Sequence, residues 1–151
     1  MSSLVETIQQ AVSPWEGVSV KPHRFGGVEF NFGTAEIGHI HLHGLLDIPF
    51  PVKIRNQLLA EGLVSKHHVL PDSGWISFRV RSEGDLERAV WLLRLSYLRY
   101  RLRRKGPSPS SSEPAWHSAL EELRGMNLSP GLTAAWESLL SPAMGISSKQ
   151  S

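Results

Sequence analysis

The chain has 151 residues, enough for one domain with a sizeable core and too few for two full ones. Hydrophobic residues make up 40% and charged residues 20%, a globular balance, and the net charge of +2 is too small for a global basic field, so no nucleic-acid partner is expected. There is no cysteine, which excludes disulfides and zinc–thiolate sites.

No run of about 18 apolar residues occurs, so no membrane helix is expected. The segment Met1 to Glu6 lacks a basic region followed by an apolar one. The expected location is cytoplasmic.

The elements follow from periodicity and turn chemistry. Residues 3–13 read as an amphipathic helix, with Leu4, Ile8 and Val12 four apart and Ser13-Pro14 ending it. Strands are expected at 18–23, 28–32 and 36–41, with Gly26-Gly27 and Gly33 as turn signals. Pro49 and Pro51 lack a ladder donor, which predicts that 45–51 leaves the sheet, with Pro51 in the first turn of a helix. Val52, Leu58, Leu59 and Leu63 would form that helix's apolar face, and Gly62 would terminate it. A strand is expected at 64–70, then a turn at 71–74. From Trp75 to Val80 the pattern has period two, with Trp75, Ser77 and Arg79 on one face and Ile76, Phe78 and Val80 on the other.

A long helix follows, opened by Ser82 with Asp85 three residues on, an approximate capping box. Leu86, Val90, Leu93, Tyr97 and Tyr100 form one apolar stripe, and Trp91, Leu95, Leu98 and Leu102 widen it. The basic run from Arg99 to Lys105 suits the negative end of the helix dipole. The expected organisation is a domain over 1–105, a Pro/Ser linker over 106–113, a helical hairpin over 114–141 and a disordered tail over 142–151. The hairpin carries Trp116 and Trp136 and is expected to bury them on the long helix. The fold class expected is α+β in two layers, a mainly antiparallel sheet covered by helices.

The chemistry centres on Glu36-Ile37-Gly38-His39-Ile40-His41. On a strand, His39 and His41 point to the same face, while Glu36 is expected on the opposite one. Imidazole takes or gives a proton near neutral pH and binds metals. Asp47, His67-His68, Trp75, Arg79 and Arg81 gather around this pair. Asp47 also reads as a turn or cap residue, one of His67 and His68 should face in and the other out, and Trp75 also reads as core. His39, His41 and His68 with Asp47 would suit a metal site, although no second spaced motif supports one. Motifs for a serine nucleophile, a P-loop or a dinucleotide fold are absent.

These residues resemble the fungal-luciferase-like domain family. The resemblance runs from about Gly27 to Tyr100 and is ungapped against the family's bacterial members. It is carried by the Glu36–His41 stretch, by Asp47-Ile48-Pro49-Phe50, by His67-His68-Val69-Leu70-Pro71-Asp72-Ser73-Gly74-Trp75-Ile76-Ser77-Phe78, and by Ser96-Tyr97. The fungal enzymes are similar at Glu36, Ile37, His39, His41, His68, Leu70, Trp75 and Tyr97. They resemble oxygenases that oxidise a hydroxylated pyrone with molecular oxygen and no organic cofactor. Two departures stand out: the stretch after His41 follows the bacterial form, and nothing after Lys105 has a counterpart.

The resemblance implies a small-molecule enzyme with His39, His41 and His68 as catalytic residues. Glu36, Asp47, Trp75, Arg79 and Tyr97 would bind substrate, and oxygen would be the co-substrate. The rivals are a non-catalytic ligand-binding module and a metal site on His39, His41 and His68. The three imidazoles are expected to converge, at least two of them within roughly 8 Å. His39 and His41 are expected outside the packed core, where replacement by alanine shifts stability by less than about 1 kcal/mol.

Overall fold

The structure is a computed structural model and describes residues 3–23, 26–67, 73–103 and 114–144. Helix α1 (Leu4–Val12) opens at Ser3, whose hydroxyl accepts from the backbone of Glu6 while the Glu6 carboxylate returns to the Ser3 N–H. That capping box satisfies two otherwise unpaired donors, and Val5, Ile8 and Val12 turn inward.

Six strands follow, interleaved with a helix: β1 (Val18–Pro22), β2 (Val28–Phe32), β3 (Ala35–Ile40), β4 (Leu45–Pro49), β5 (Ser65–Lys66) and β6 (Trp75–Arg79). They form one sheet in the order β1-β2-β3-β4-β6-β5, antiparallel at every pairing. Helix α2 (Val52–Ala60) lies between β4 and β5, and α3 (Leu86–Arg103), α4 (Pro114–Arg124) and α5 (Pro130–Met144) follow β6.

One face of the sheet is the core face. Phe30, Ile40, Leu46, Ile48 and Ile76 have no exposed surface, and α3 packs across β3 and β4. Burying each such side chain contributes about 1.5–3 kcal/mol, so this face carries most of the stability. Gly38 is the point of closest approach. A methyl group there would meet Leu93 Cδ2 at 2.8 Å and the Asp47 carbonyl oxygen at 3.2 Å. The Ser96 hydroxyl, fully buried on α3, donates to the Ile37 carbonyl at 2.9 Å beside it. The α+β class and the helix-covered antiparallel sheet are as the periodicity implied.

Residues 45–49 correct the expectation that this segment leaves the sheet. They form β4, the strand between β3 and β6. Pro49 is tolerated because β3 pairs only with Leu46 and Asp47, so the missing N–H falls past the end of that ladder. On the other side the ladder continues, with Phe50 N–H donating to the Gly74 carbonyl at 3.0 Å. Pro51 stands at the N-cap of α2, one residue before its first turn. The buried face of α2 is Ile54, Arg55 and Leu58, while Val52 is 53% exposed. The four-residue spacing of Ile54 and Leu58 governs, not the first apolar residue after the proline. Strand β5 is only two residues long, and residues 68–72 lie outside the described residues.

The capping box at Ser82 and Asp85 is present, and it starts a short 3-10 turn that runs into α3. Helix α3 is covered on more than one side. Helix α4 packs against it, the Trp116 indole N–H donates to the Leu102 carbonyl at 2.8 Å, and Arg94 forms a two-pronged pair with Glu122. Helix α5 instead packs on α2, where Lys53 donates to Ser138 and Ser129 to Glu61. Trp116 and Trp136 are both buried, as expected, but the hairpin divides its contacts between two helices. Helix α5 runs to Met144, past the expected stop at 141. The proposed linker over 106–113 and the tail residues 145–151 lie outside the described residues.

Gly38→Ala tests the close approach of α3 to the sheet. The added methyl group should lower stability by about 1–3 kcal/mol, read as a fall in the urea midpoint without a change in slope. An unchanged midpoint would mean that α3 does not rest on β3 at this point.

Candidate active site

The opposite face of the sheet carries the polar side chains. Cross-strand register lines up Glu29, His39, Asp47, Ser77 and Ser65 in one row over five strands. Asp47 is the centre of that row and has no exposed surface. Its Oδ1 accepts the Ser77 hydroxyl at 2.5 Å. Its Oδ2 lies 3.0 Å from His41 Nε2, 3.2 Å from His39 Nε2 and 3.6 Å from His67 Nε2. One carboxylate oxygen thus faces three imidazole nitrogens.

Two local devices bring these groups together. The first is the turn between β3 and β4, where Gly44 N–H donates to the His41 carbonyl at 2.8 Å and His41 N–H to Leu45 at 2.9 Å. Gly44 sits at φ 96°, and a methyl group there would meet the Val80 carbonyl oxygen at 2.6 Å. Only glycine suits that backbone, and the tight turn sets His41 beside Asp47.

The second device is a β-bulge. Asn31 pairs with Glu36 and Phe30 with Gly38, so Ile37 is an extra residue on β3. The extra residue shifts the alternation by one. This corrects the expectation for Glu36, which lies on the same face as His39 and not on the opposite one. Its Oε2 accepts from His39 Nδ1 at 2.5 Å.

His39 therefore bridges two carboxylates and is itself 9% exposed. Burial alone would push its pKa down. Hydrogen bonds to Asp47 and Glu36, and the charge of both, overcome this and raise it to about 9. Asp47 is buried too, which opposes ionisation, but the donors His39, Ser77 and His41 hold its carboxyl well below the usual carboxylate range. His23 stacks on the His39 ring, with centroids 4.0 Å apart. Burial and then the charge of His39 lower its pKa.

His39 and His41 converge as expected, their rings perpendicular with centroids 5.1 Å apart. His68 lies outside the described residues, and His67 Nε2 faces Asp47 at 3.6 Å. Trp75 is half-buried and forms a wall, 5.5 Å from His39 and 5.9 Å from His67 between ring centroids. Arg79 is exposed, with one guanidinium nitrogen 3.5 Å from His43 Nδ1.

Tyr97 is a correction. It is 1% exposed on the core face, packs on Trp15 and Phe32, and donates its hydroxyl to the Glu16 carbonyl at 2.6 Å. Its helix covers the other side of the sheet, so it closes the core and takes no part in the site. His39 corrects the expectation of two histidines outside the packed core. Its loss would take one partner from each of two carboxylates, so His39→Ala should lower stability by more than the expected value of about 1 kcal/mol.

Sequence reasoning passed over three members. His43 extends the period-two series 39, 41, 43, and its ring stacks parallel to His41. Ser77 shares its face with Trp75 and Arg79, an alternation legible in the sequence. His23 carries no distinguishing spacing, whereas His67 is named with His68 but given no role. Beside the cluster opens a cleft of about 510 Å³, lined by His41, His43, Lys66, Ser77, Arg79 and Arg81 among others.

The family described as Luciferase, luciferase domain, matches residues 34–96. The chain carries a luciferase-like domain. Asp47 and its partners His39, His41, His67 and Ser77, together with Glu36, fall inside the matched segment, whereas β1, β2 and the hairpin fall outside. Comparison with curated proteins gives no match, and neither does comparison with solved structures. Among the described residues of this luciferase-like chain, no helix is long and apolar enough to cross a membrane.

The electrostatics predict a pH signature for the metal-free protein. His39 has a raised folded pKa, so its stabilising effect is complete below its unfolded value near 6.5 and is lost as pH rises through about 9. Thermal midpoints measured between those values should fall with pH, and His39→Gln should flatten the slope. An identical slope in the variant would contradict the bridging role.

Proposed function

We propose that this luciferase-like chain is a small-molecule enzyme with the Asp47–imidazole cluster as its reaction centre. The observation that carries this reading is the convergence of three imidazole nitrogens on one buried carboxylate oxygen at the wall of a cleft. A fold needs no such cluster, because a buried ionised carboxylate is a burden unless paired.

The substrate class is a compound with an enol or phenol hydroxyl, and molecular oxygen is the co-substrate, with no organic cofactor. Asp47 accepts the Nε2 proton of His41, which leaves His41 Nδ1 as a base for the substrate hydroxyl. His39, held cationic by two carboxylates, fixes the charge of the centre. Lys66, Arg79 and Arg81 supply positive potential for the enolate. The enolate carbon gives an electron pair to oxygen and a C–O bond forms. The proton on His41 then passes to the outer oxygen, giving a hydroperoxide. Trp75 screens the centre from water.

The test is oxygen uptake with a panel of enolic and phenolic compounds. His41→Gln should lower turnover by about 100-fold or more. Its unfolding midpoint should stay near that of the parent. Compounds that bind without oxygen uptake would instead support a ligand-binding module.

A further inference from the structure

We infer that His39, His41 and Asp47 form a site for one divalent first-row transition-metal ion, with His67 beside it. Two donors about 2.1 Å from a common ion stand about 3.0 to 3.4 Å apart at octahedral or tetrahedral angles. Asp47 Oδ2 lies 3.0 Å from His41 Nε2 and 3.2 Å from His39 Nε2, within that range, while His67 Nε2 stands outside it at 3.6 Å. The donor atoms of His39, His41 and Asp47 all lie within 4.8 Å of one another. His39 and Asp47 face each other on neighbouring strands and His41 is held by the tight turn between them, so the backbone already fixes their spacing.

The outer partners fit as well. A metal-bound imidazole commonly donates its other N–H to a carboxylate, which orients the ring and increases its basicity. Glu36 accepts from His39 Nδ1 in that manner at 2.5 Å. Ser77 holds the second oxygen of Asp47 at 2.5 Å, so Oδ2 is the oxygen left for an ion. With two imidazoles and one carboxylate and no thiolate, the donor set favours iron(II), zinc, cobalt or nickel over magnesium or calcium. The ion would sit beside the cleft that includes His41 and Ser77. This inference rests on the proposed choice of reaction centre and replaces its base. With the ion bound, coordination ionises a substrate hydroxyl, and His41 Nε2 carries the metal in place of a proton.

The experiment uses the full chain freed of metal with a chelator, then titrated with Co²⁺, Zn²⁺ and Mg²⁺. Calorimetry and cobalt absorption should report one Co²⁺ or Zn²⁺ per chain, with no uptake of Mg²⁺, and Zn²⁺ should raise the thermal midpoint. His41→Ala should lose binding, and Glu36→Gln should weaken it by about 10–100-fold. His117→Ala, on the exposed side of α4, should bind as the parent does. Because Asp47→Asn risks misfolding, ring-nitrogen NMR of the parent with Zn²⁺ is the second measurement, and it should shift His39 and His41 together. Absence of Co²⁺ and Zn²⁺ binding, or binding unchanged in His41→Ala, would overturn the site. Turnover without any ion would overturn the metal alone, and binding without turnover would overturn only the proposed function.

Discussion

An ionised carboxylate buried in the middle of a sheet is the constraint on which this structure turns. Moving such a group out of water costs several kcal/mol after relaxation, and only close partners offset it. Asp47 has them: the Ser77 hydroxyl on one oxygen and three imidazoles around the other. Each partner comes from a place fixed by backbone structure. Ser77 faces Asp47 across the β4–β6 ladder, His39 across β3–β4, and His41 through the turn at Gly44. The bulge at Ile37 then brings Glu36 to the far side of His39, so the imidazole is clamped between two negative charges.

Stability and chemistry occupy opposite faces of the same sheet. The apolar face meets α3, and α1, α4 and α5 pack onto the helical layer. The polar face bears the cluster, Trp75 and a cleft with three cationic side chains. The hairpin holds its tryptophans in the core, with α4 packed on α3 through the Trp116–Leu102 hydrogen bond and α5 on α2. The family match, residues 34–96, spans β3, β4 and β6 and ends before the hairpin. The site needs β3, β4 and β6 and the helix that backs them.

Much of this was legible in the sequence, and the misses share a cause. Same-face placement of His39 and His41 follows from period two, as does the line of Trp75, Ser77 and Arg79. The bulge was not legible, because a single inserted residue leaves no compositional trace and reverses the alternation upstream, which is why Glu36 was assigned to the wrong face. Pro49 suggested an exit from the sheet, since a proline's tolerance depends on which neighbour is paired at that residue, a tertiary fact. The placement of His67 beside Asp47 likewise depends on tertiary structure. Tyr97 was drawn toward the site by resemblance, although its place in the long apolar stripe already assigned it to the core.

The central claim is that Asp47 and Glu36 hold His39 doubly protonated. Ring-nitrogen NMR of the metal-free protein at pH 8, above the ordinary histidine value, tests it directly. The account predicts protons on both nitrogens of His39 at that pH, and a neutral His39 ring in Glu36→Gln at a lower pH than in the parent. A spectrum in which every imidazole is neutral at pH 8 would contradict it.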